Sequence, residues 1–146
     1  MGNKDSKQDI DLYFGNISND QNEGGLDLEI TKYFLIKASS CICKIKLNSG
    51  YGIGFFCKIP LIQKKEILNA LIISHHILTK ENLLSSNDII IEVDKKEIKL
   101  SKKNRKIYYN SELDYSCIEI LKKDKIKDFY TIDESNLKKI LMMNFI

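Results

Sequence analysis

The stretch SCICKIKLNSGYGIGFFCKIP, residues 40–60, decides the fold class. From Ser40 to Leu47 the apolar side chains fall at every second position, as Cys41, Cys43, Ile45 and Leu47. Successive strand side chains point to opposite faces, so the alternation predicts a half-buried strand. Asn48-Ser49-Gly50 has the residue types of a hairpin turn. Tyr51 to Ile59 is rich in aromatic and β-branched residues and predicts the partner strand. Pro60 ends it, having no N–H to give to a ladder.

The same signals recur on the C-terminal side. Ile67 to Ser74 predicts a third strand running into His75-His76-Ile77-Leu78. Asp88 to Val93 predicts a fourth, which Asp94-Lys95-Lys96 turns into Glu97 to Leu100. Lys106 to Tyr109 begins another, and Tyr115 to Leu121 is the last. Alternating β-α units are not seen, so a doubly wound sheet is not expected. The expectation is an all-β domain over residues 38–121, a single six-stranded, antiparallel, Greek-key-like barrel with short flanking helices. Residues 1–30, rich in Asp, Asn, Gln and Gly, predict a flexible acidic arm. Leu26 to Lys37 reads as a short helix or an irregular lead-in. Residues 122–146 read as a charged C-terminal extension, with a short helix expected over 134–144.

Length and composition fit one ordinary globular domain of 146 residues, 43% hydrophobic and 29% charged. Apolar runs such as Ala70 to Ile73 fall far short of the about 20 residues a spanning helix needs. The first nine residues are polar, so no secretory signal is read and a cytoplasmic location is expected. The four cysteines, Cys41, Cys43, Cys57 and Cys117, lack a CxxC pair, and the two histidines are sequence neighbours. Metal-ligand spacing is therefore absent. The cysteines read as buried small hydrophobes in strands, and neither metal nor cofactor is expected.

Net charge is +3, but it is unevenly spread. Residues 1–30 carry Lys4 and Lys7 against seven acids, and residues 93–106 carry seven basic groups against Asp94 and Glu97. Arg105 is the sole arginine of the basic stretch. Specific nucleic-acid recognition leans on arginine, so no specific nucleic-acid partner is expected; a solvated lysine-rich face is the plainer reading. Met1-Gly2-Asn3-Lys4-Asp5-Ser6 fits the N-myristoylation pattern at Gly2, and an unmodified start fits it equally. One acyl chain binds membranes only marginally, so a peripheral membrane contact would need the Lys95–Lys106 stretch as a second signal.

Three segments carry the candidate chemistry. Gly52-Ile53-Gly54-Phe55-Phe56 puts two glycines in a strand, where a backbone kinks or is closely approached. Ser74-His75-His76-Ile77-Leu78 places histidines at a strand end. Asp114-Tyr115-Ser116-Cys117-Ile118-Glu119-Ile120 places an aspartate just before an apolar strand. A strand-end histidine is also a common structural residue. Taken in order, the segments resemble the amino-terminal barrel of the trypsin-like, chymotrypsin-fold serine proteases, in their disulfide-free intracellular form. Gly52–Phe56 is similar to the family's glycine-flanked strand, His76 takes the place of its general base, and Asp114 that of the orienting carboxylate.

The resemblance covers about residues 38–121 and implies half of a two-barrel serine endopeptidase. It departs from the family at the nucleophile. Only Ser116 and Ser135 follow Asp114, neither has a glycine neighbour, and no glycine follows Gly54. An oxyanion-binding turn usually needs glycine. The expectation is a truncated or incomplete peptidase, inactive alone, that meets a peptide substrate only if a second barrel is supplied. The alternative is a non-catalytic, membrane-peripheral β-barrel interaction module.

Overall fold

The structure, a computed structural model, describes residues 6–11 and 39–132. Gly2, Leu26 to Lys37, Ser135 and the expected helix over 134–144 lie outside the described residues. The strands are β1 (Ile42–Leu47), β2 (Gly50–Leu61), β3 (Glu66–Ile73), β4 (Ile89–Val93), β5 (Lys96–Leu100), β6 (Ile107–Asn110), β7 (Tyr115–Glu119) and β8 (Tyr130–Thr131). A five-residue helix, Lys80–Leu84, separates β3 from β4. Short 3-10 turns occupy Ile62–Lys64 and Lys122–Asp124. No helix among the described residues is long and apolar enough to cross a membrane.

The strands form one sheet in the order β5-β4-β1-β2-β3-β7-β6, and all these neighbours are antiparallel. The hairpin predicted from residues 40–60 is the β1–β2 pair, with Asn48-Ser49 as its turn. Gly50 has φ +138°, a backbone state that L side chains rarely adopt. β2 continues through Pro60 to Leu61, past the expected stop. Its pairing with β1 ends at Phe55, so the proline interrupts no ladder on that side. Beyond that point β8 pairs in parallel with Cys57 and Lys58 and covers the edge that β1 leaves open.

Two apolar clusters hold the sheet. The larger gathers Cys43 and Ile45 of β1, Phe56 of β2, Leu71 and Ile73 of β3, Ile89 and Ile91 of β4, Leu100 of β5 and Ile118 of β7. Since strands from across the whole order meet in one core, the sheet curls around it. The second lies on the opposite face of β2, β3 and β7, where Cys57, Ile59, Leu68, Ala70, Ile72, Tyr115 and Cys117 pack with Ile10. Residues 6–11, within the stretch expected to be a mobile arm, are helical; Ile10 is fully buried and the Tyr115 hydroxyl donates to Asp11.

The expected six-stranded closed barrel differs from this arrangement. The sheet has eight strands, and its ladder stays open because β5 and β6, at the two ends of the order, do not pair. A side chain ties the β5–β6 connection to the end of β7 and the turn after it. Arg105 donates through Nε to the Ser101 carbonyl at 2.7 Å and through Nη1 to the Glu119 carbonyl at 2.8 Å. Its guanidinium also meets both carboxylate oxygens of Asp124, at 2.6 and 3.1 Å.

Close packing explains the paired glycines. A Cβ on Gly52 would lie 2.7 Å from Ile77 Cγ2, and one on Gly54 would lie 2.9 Å from Leu71 Cδ1 and 3.0 Å from the Ile72 carbonyl oxygen. Gly54→Val is therefore expected to overpack the core and cost about 1–3 kcal/mol, read as a lower urea midpoint. An unchanged midpoint would refute the close-approach account.

Candidate functional site

Register brings the candidate residues together. Ile73, the last residue of β3, pairs with Ser116 of β7 in antiparallel register. Each step beyond Ile73 is therefore matched by a step before Ser116, which sets His75 against Asp114. The backbone confirms the extension, since the His75 N–H donates to the Asp114 carbonyl at 3.3 Å. Residues 74–78 then turn tightly, the Ser74 carbonyl accepting from the N–H groups of Ile77 and Leu78 at 3.1 Å each. On the other side, Asn110 Oδ1 accepts from the N–H groups of Glu112 and Leu113, at 2.9 and 3.0 Å, and closes the β6–β7 turn. Asp114 ends that turn with φ 54°, a left-handed state that aspartate tolerates better than most residues.

The Asp114 carboxylate grips His76 twice. Oδ1 accepts the His76 backbone N–H at 2.9 Å, and Oδ2 lies 2.7 Å from Nδ1 of its ring. An ionised carboxylate only accepts, so Nδ1 carries the proton and the neutral ring keeps its lone pair on Nε2. The pair sits at the rim, the His76 side chain 69% and the Asp114 side chain 44% exposed. Desolvation alone would raise the Asp114 pKa. The hydrogen bonds from the His76 N–H and ring, with that of His75, outweigh it and hold the carboxyl below its ordinary range. The chemistry available here is that of an oriented base: Nε2 can accept a proton, and the carboxylate stabilises the imidazolium so formed.

The remaining candidates stand apart from this pair. Ser116 is fully buried and its hydroxyl donates to the Leu78 carbonyl at 2.7 Å, which leaves it closed to a substrate. All four cysteines are buried. Burial pushes the Cys43 thiol up to about 12 and the Cys57 thiol up to about 11, and raises Cys117 as well, so none of these three is an activated nucleophile. Cys41 lies in a helical turn over residues 39–41, not in a strand as expected. Among the described residues, no group of three or more His, Cys, Asp or Glu could hold a metal ion.

The basic stretch Lys95–Lys106 is partly consumed by the fold. Lys102 Nζ donates to the Asn82 carbonyl at 2.5 Å and to the Ser85 carbonyl at 2.7 Å, at the C-terminal end of the Lys80–Leu84 helix. Arg105 is buried against Asp124. The exposed cations that remain are Lys95, Lys96, Lys99 and Lys103, with Glu97 among them.

Two features of the rim escaped the sequence reading. His75 stacks on Tyr109, with ring centroids 5.3 Å apart and planes 11° from parallel, and its Nδ1 lies 2.9 Å from Ser116 Oγ. An inward strand position for Ser116, read by alternation from Ile118, was the available signal. The second is an exposed apolar strip along β2, where Tyr51 is 62% and Ile53 60% exposed. Both lie on the face opposite Gly52, Gly54 and Phe56, and their register partners Lys46 and Lys44 are exposed on β1. No protein-family model, curated protein or solved structure matches the chain.

Proposed function

We propose that this chain supplies the general base and its orienting carboxylate for a trypsin-like serine endopeptidase. The curled sheet would act as the amino-terminal lobe, its strands corresponding to the family's six-stranded Greek-key barrel. The observation that carries the reading is the double grip of one carboxylate on His76, through Nδ1 at 2.7 Å and the backbone N–H at 2.9 Å. That grip fixes tautomer and ring orientation together, which a proton-accepting base needs and a surface ion pair does not. A second lobe would bring a glycine-flanked serine and two backbone N–H groups for the oxyanion. His76 Nε2 would take the serine proton as the hydroxyl attacks the scissile carbonyl, then return it to the leaving amine. The exposed Tyr51–Ile53 strip supports a lobe of this kind, since contiguous apolar surface commonly meets a partner.

The 146-residue chain alone is expected to take no label from a fluorophosphonate probe. Joined to a lobe bearing a glycine-flanked serine it should be labelled at that serine, with labelling suppressed in His76→Ala. Labelling of the chain alone, or labelling of the joined protein indifferent to His76, would overturn the reading.

One observation favours a second reading, a non-catalytic, membrane-peripheral module. Tyr51 and Ile53 stand out beside Lys44 and Lys46, an aromatic and cationic combination suited to an anionic interface. Salt-sensitive sedimentation with anionic vesicles, lost in Ile53→Asp, would favour it; no sedimentation at low salt would remove it.

A further inference from the structure

The turn that carries His76 is pinned at both ends by one buried hydroxyl. Ser116 is fully buried on β7. Its Oγ lies 2.7 Å from the Leu78 carbonyl, at the far end of the turn, and 2.9 Å from His75 Nδ1, at the near end. A hydroxyl has one hydrogen, and a carbonyl oxygen only accepts. The Ser116 proton therefore goes to Leu78, and His75 Nδ1 must be the donor to Ser116. The stack on Tyr109 fixes the plane of the His75 ring from the side, and the His75 N–H is bound to the Asp114 carbonyl. His76 sits between the two pinned residues. Where its ring meets Asp114 thus depends on a hydroxyl that touches neither.

We propose that Ser116 is a positioning residue for His76, acting through the His75 ring and the Leu78 carbonyl. The proposal rests on His76 and Asp114 working as a base and its orienting group, and it adds what holds that base in place. Without the hydroxyl, the buried Leu78 carbonyl loses a donor and the His75 ring loses its acceptor, so both ends of the turn loosen together.

The test reads geometry in the chain as it stands. At a pH above the imidazole range, nitrogen-15 spectra of the histidine rings should show His75 as the Nδ1-protonated tautomer. Hydrogen exchange at the His76 amide, whose N–H is bound to Asp114 Oδ1, should be about tenfold faster in Ser116→Ala and stay within about twofold in Ser116→Thr, which keeps the hydroxyl. His75→Phe, which keeps a ring against Tyr109 but loses the donor, should also speed it. Ile118→Val, a core variant on the same strand, controls for general loss of stability and should leave His76 exchange near the parent rate. An Nε2-protonated His75 overturns the proposal, as does a Ser116→Ala effect no larger than that of Ile118→Val. Should Ser116→Ala fail to fold, the tautomer and the His75→Phe result decide. None of these readouts needs a nucleophile, so failure here is distinct from failure of the peptidase reading, which is decided by probe labelling of the joined protein.

Discussion

Arg105→Ala is expected to destabilise the fold by about 3–5 kcal/mol, because it leaves the Asp124 carboxylate buried without its counter-charge. The two side chains are 1% and 3% exposed, and the guanidinium makes two bonds to the carboxylate and two to backbone carbonyls. A loss of that size is a large fraction of the about 5–15 kcal/mol that holds a typical domain together, so the urea midpoint should fall steeply. Asp124→Ala should cost a similar amount by stranding the guanidinium. A double replacement by apolar residues of similar volume, Arg105→Met with Asp124→Leu, should recover much of the loss, since it removes two desolvation penalties at once.

The pH dependence has a definite sign. Burial alone would raise the Asp124 pKa, but the hydrogen bond from Arg105, the Leu121 N–H and the Arg105 charge outweigh it and hold the carboxyl below its ordinary value. A group depressed in the folded state stabilises the fold above its unfolded pKa, and that stability is lost as pH falls through the folded one. The parent should therefore lose stability in acid more steeply than the Arg105→Met/Asp124→Leu protein, by urea midpoints across the acid range. Equal acid slopes, or an Arg105→Ala midpoint near that of the parent, would show that the pair does not stabilise the fold.

Residues that report on their neighbours were legible in the sequence; residues that act across the chain were not. Alternation from Cys41 to Leu47 announces a strand because period two has one structural meaning, and Gly50 marks its turn. His76 and Asp114 could be matched because each stands at the end of an apolar run, and register does the rest once β3 and β7 pair. Arg105 and Asp124 could not. Each lies in a lysine-rich run, KKNRK and KKDK, where the local signal is that of a solvated surface. Burying them is a tertiary decision, taken because the connection from Leu100 to Ile107 must be tied to the turn after β7 without a ladder. Ile10 is hidden for a similar reason. It opens the short run Ile10-Asp11-Leu12-Tyr13-Phe14, but a local pattern cannot say that Ile10 seats on the outer face of β2, β3 and β7.

If the chain works as proposed, Asp114→Asn should lower turnover of the protein joined to a serine-bearing lobe by about four orders of magnitude while leaving the fold intact. Asparagine tolerates the left-handed backbone at this position, φ 54°, so the β6–β7 turn should survive. Its side chain keeps one acceptor, which the His76 backbone N–H can use, but presents an amide N–H₂ where Oδ2 now faces Nδ1. That group donates, so Nδ1 must become the acceptor and the ring proton moves to Nε2. A ring protonated on Nε2 cannot take a proton from a serine hydroxyl, and the imidazolium would lose its adjacent negative charge. The change is visible before any second lobe is added, because ring nitrogen-15 shifts of the lone chain should report Nδ1–H in the parent and Nε2–H in Asp114→Asn. The parent carboxyl lies below its ordinary range, so its grip on His76 should fail only as pH falls through that depressed value. Retention of the Nδ1–H tautomer in Asp114→Asn would mean that the carboxylate does not orient the ring, and the assignment of His76 as general base would fall with it.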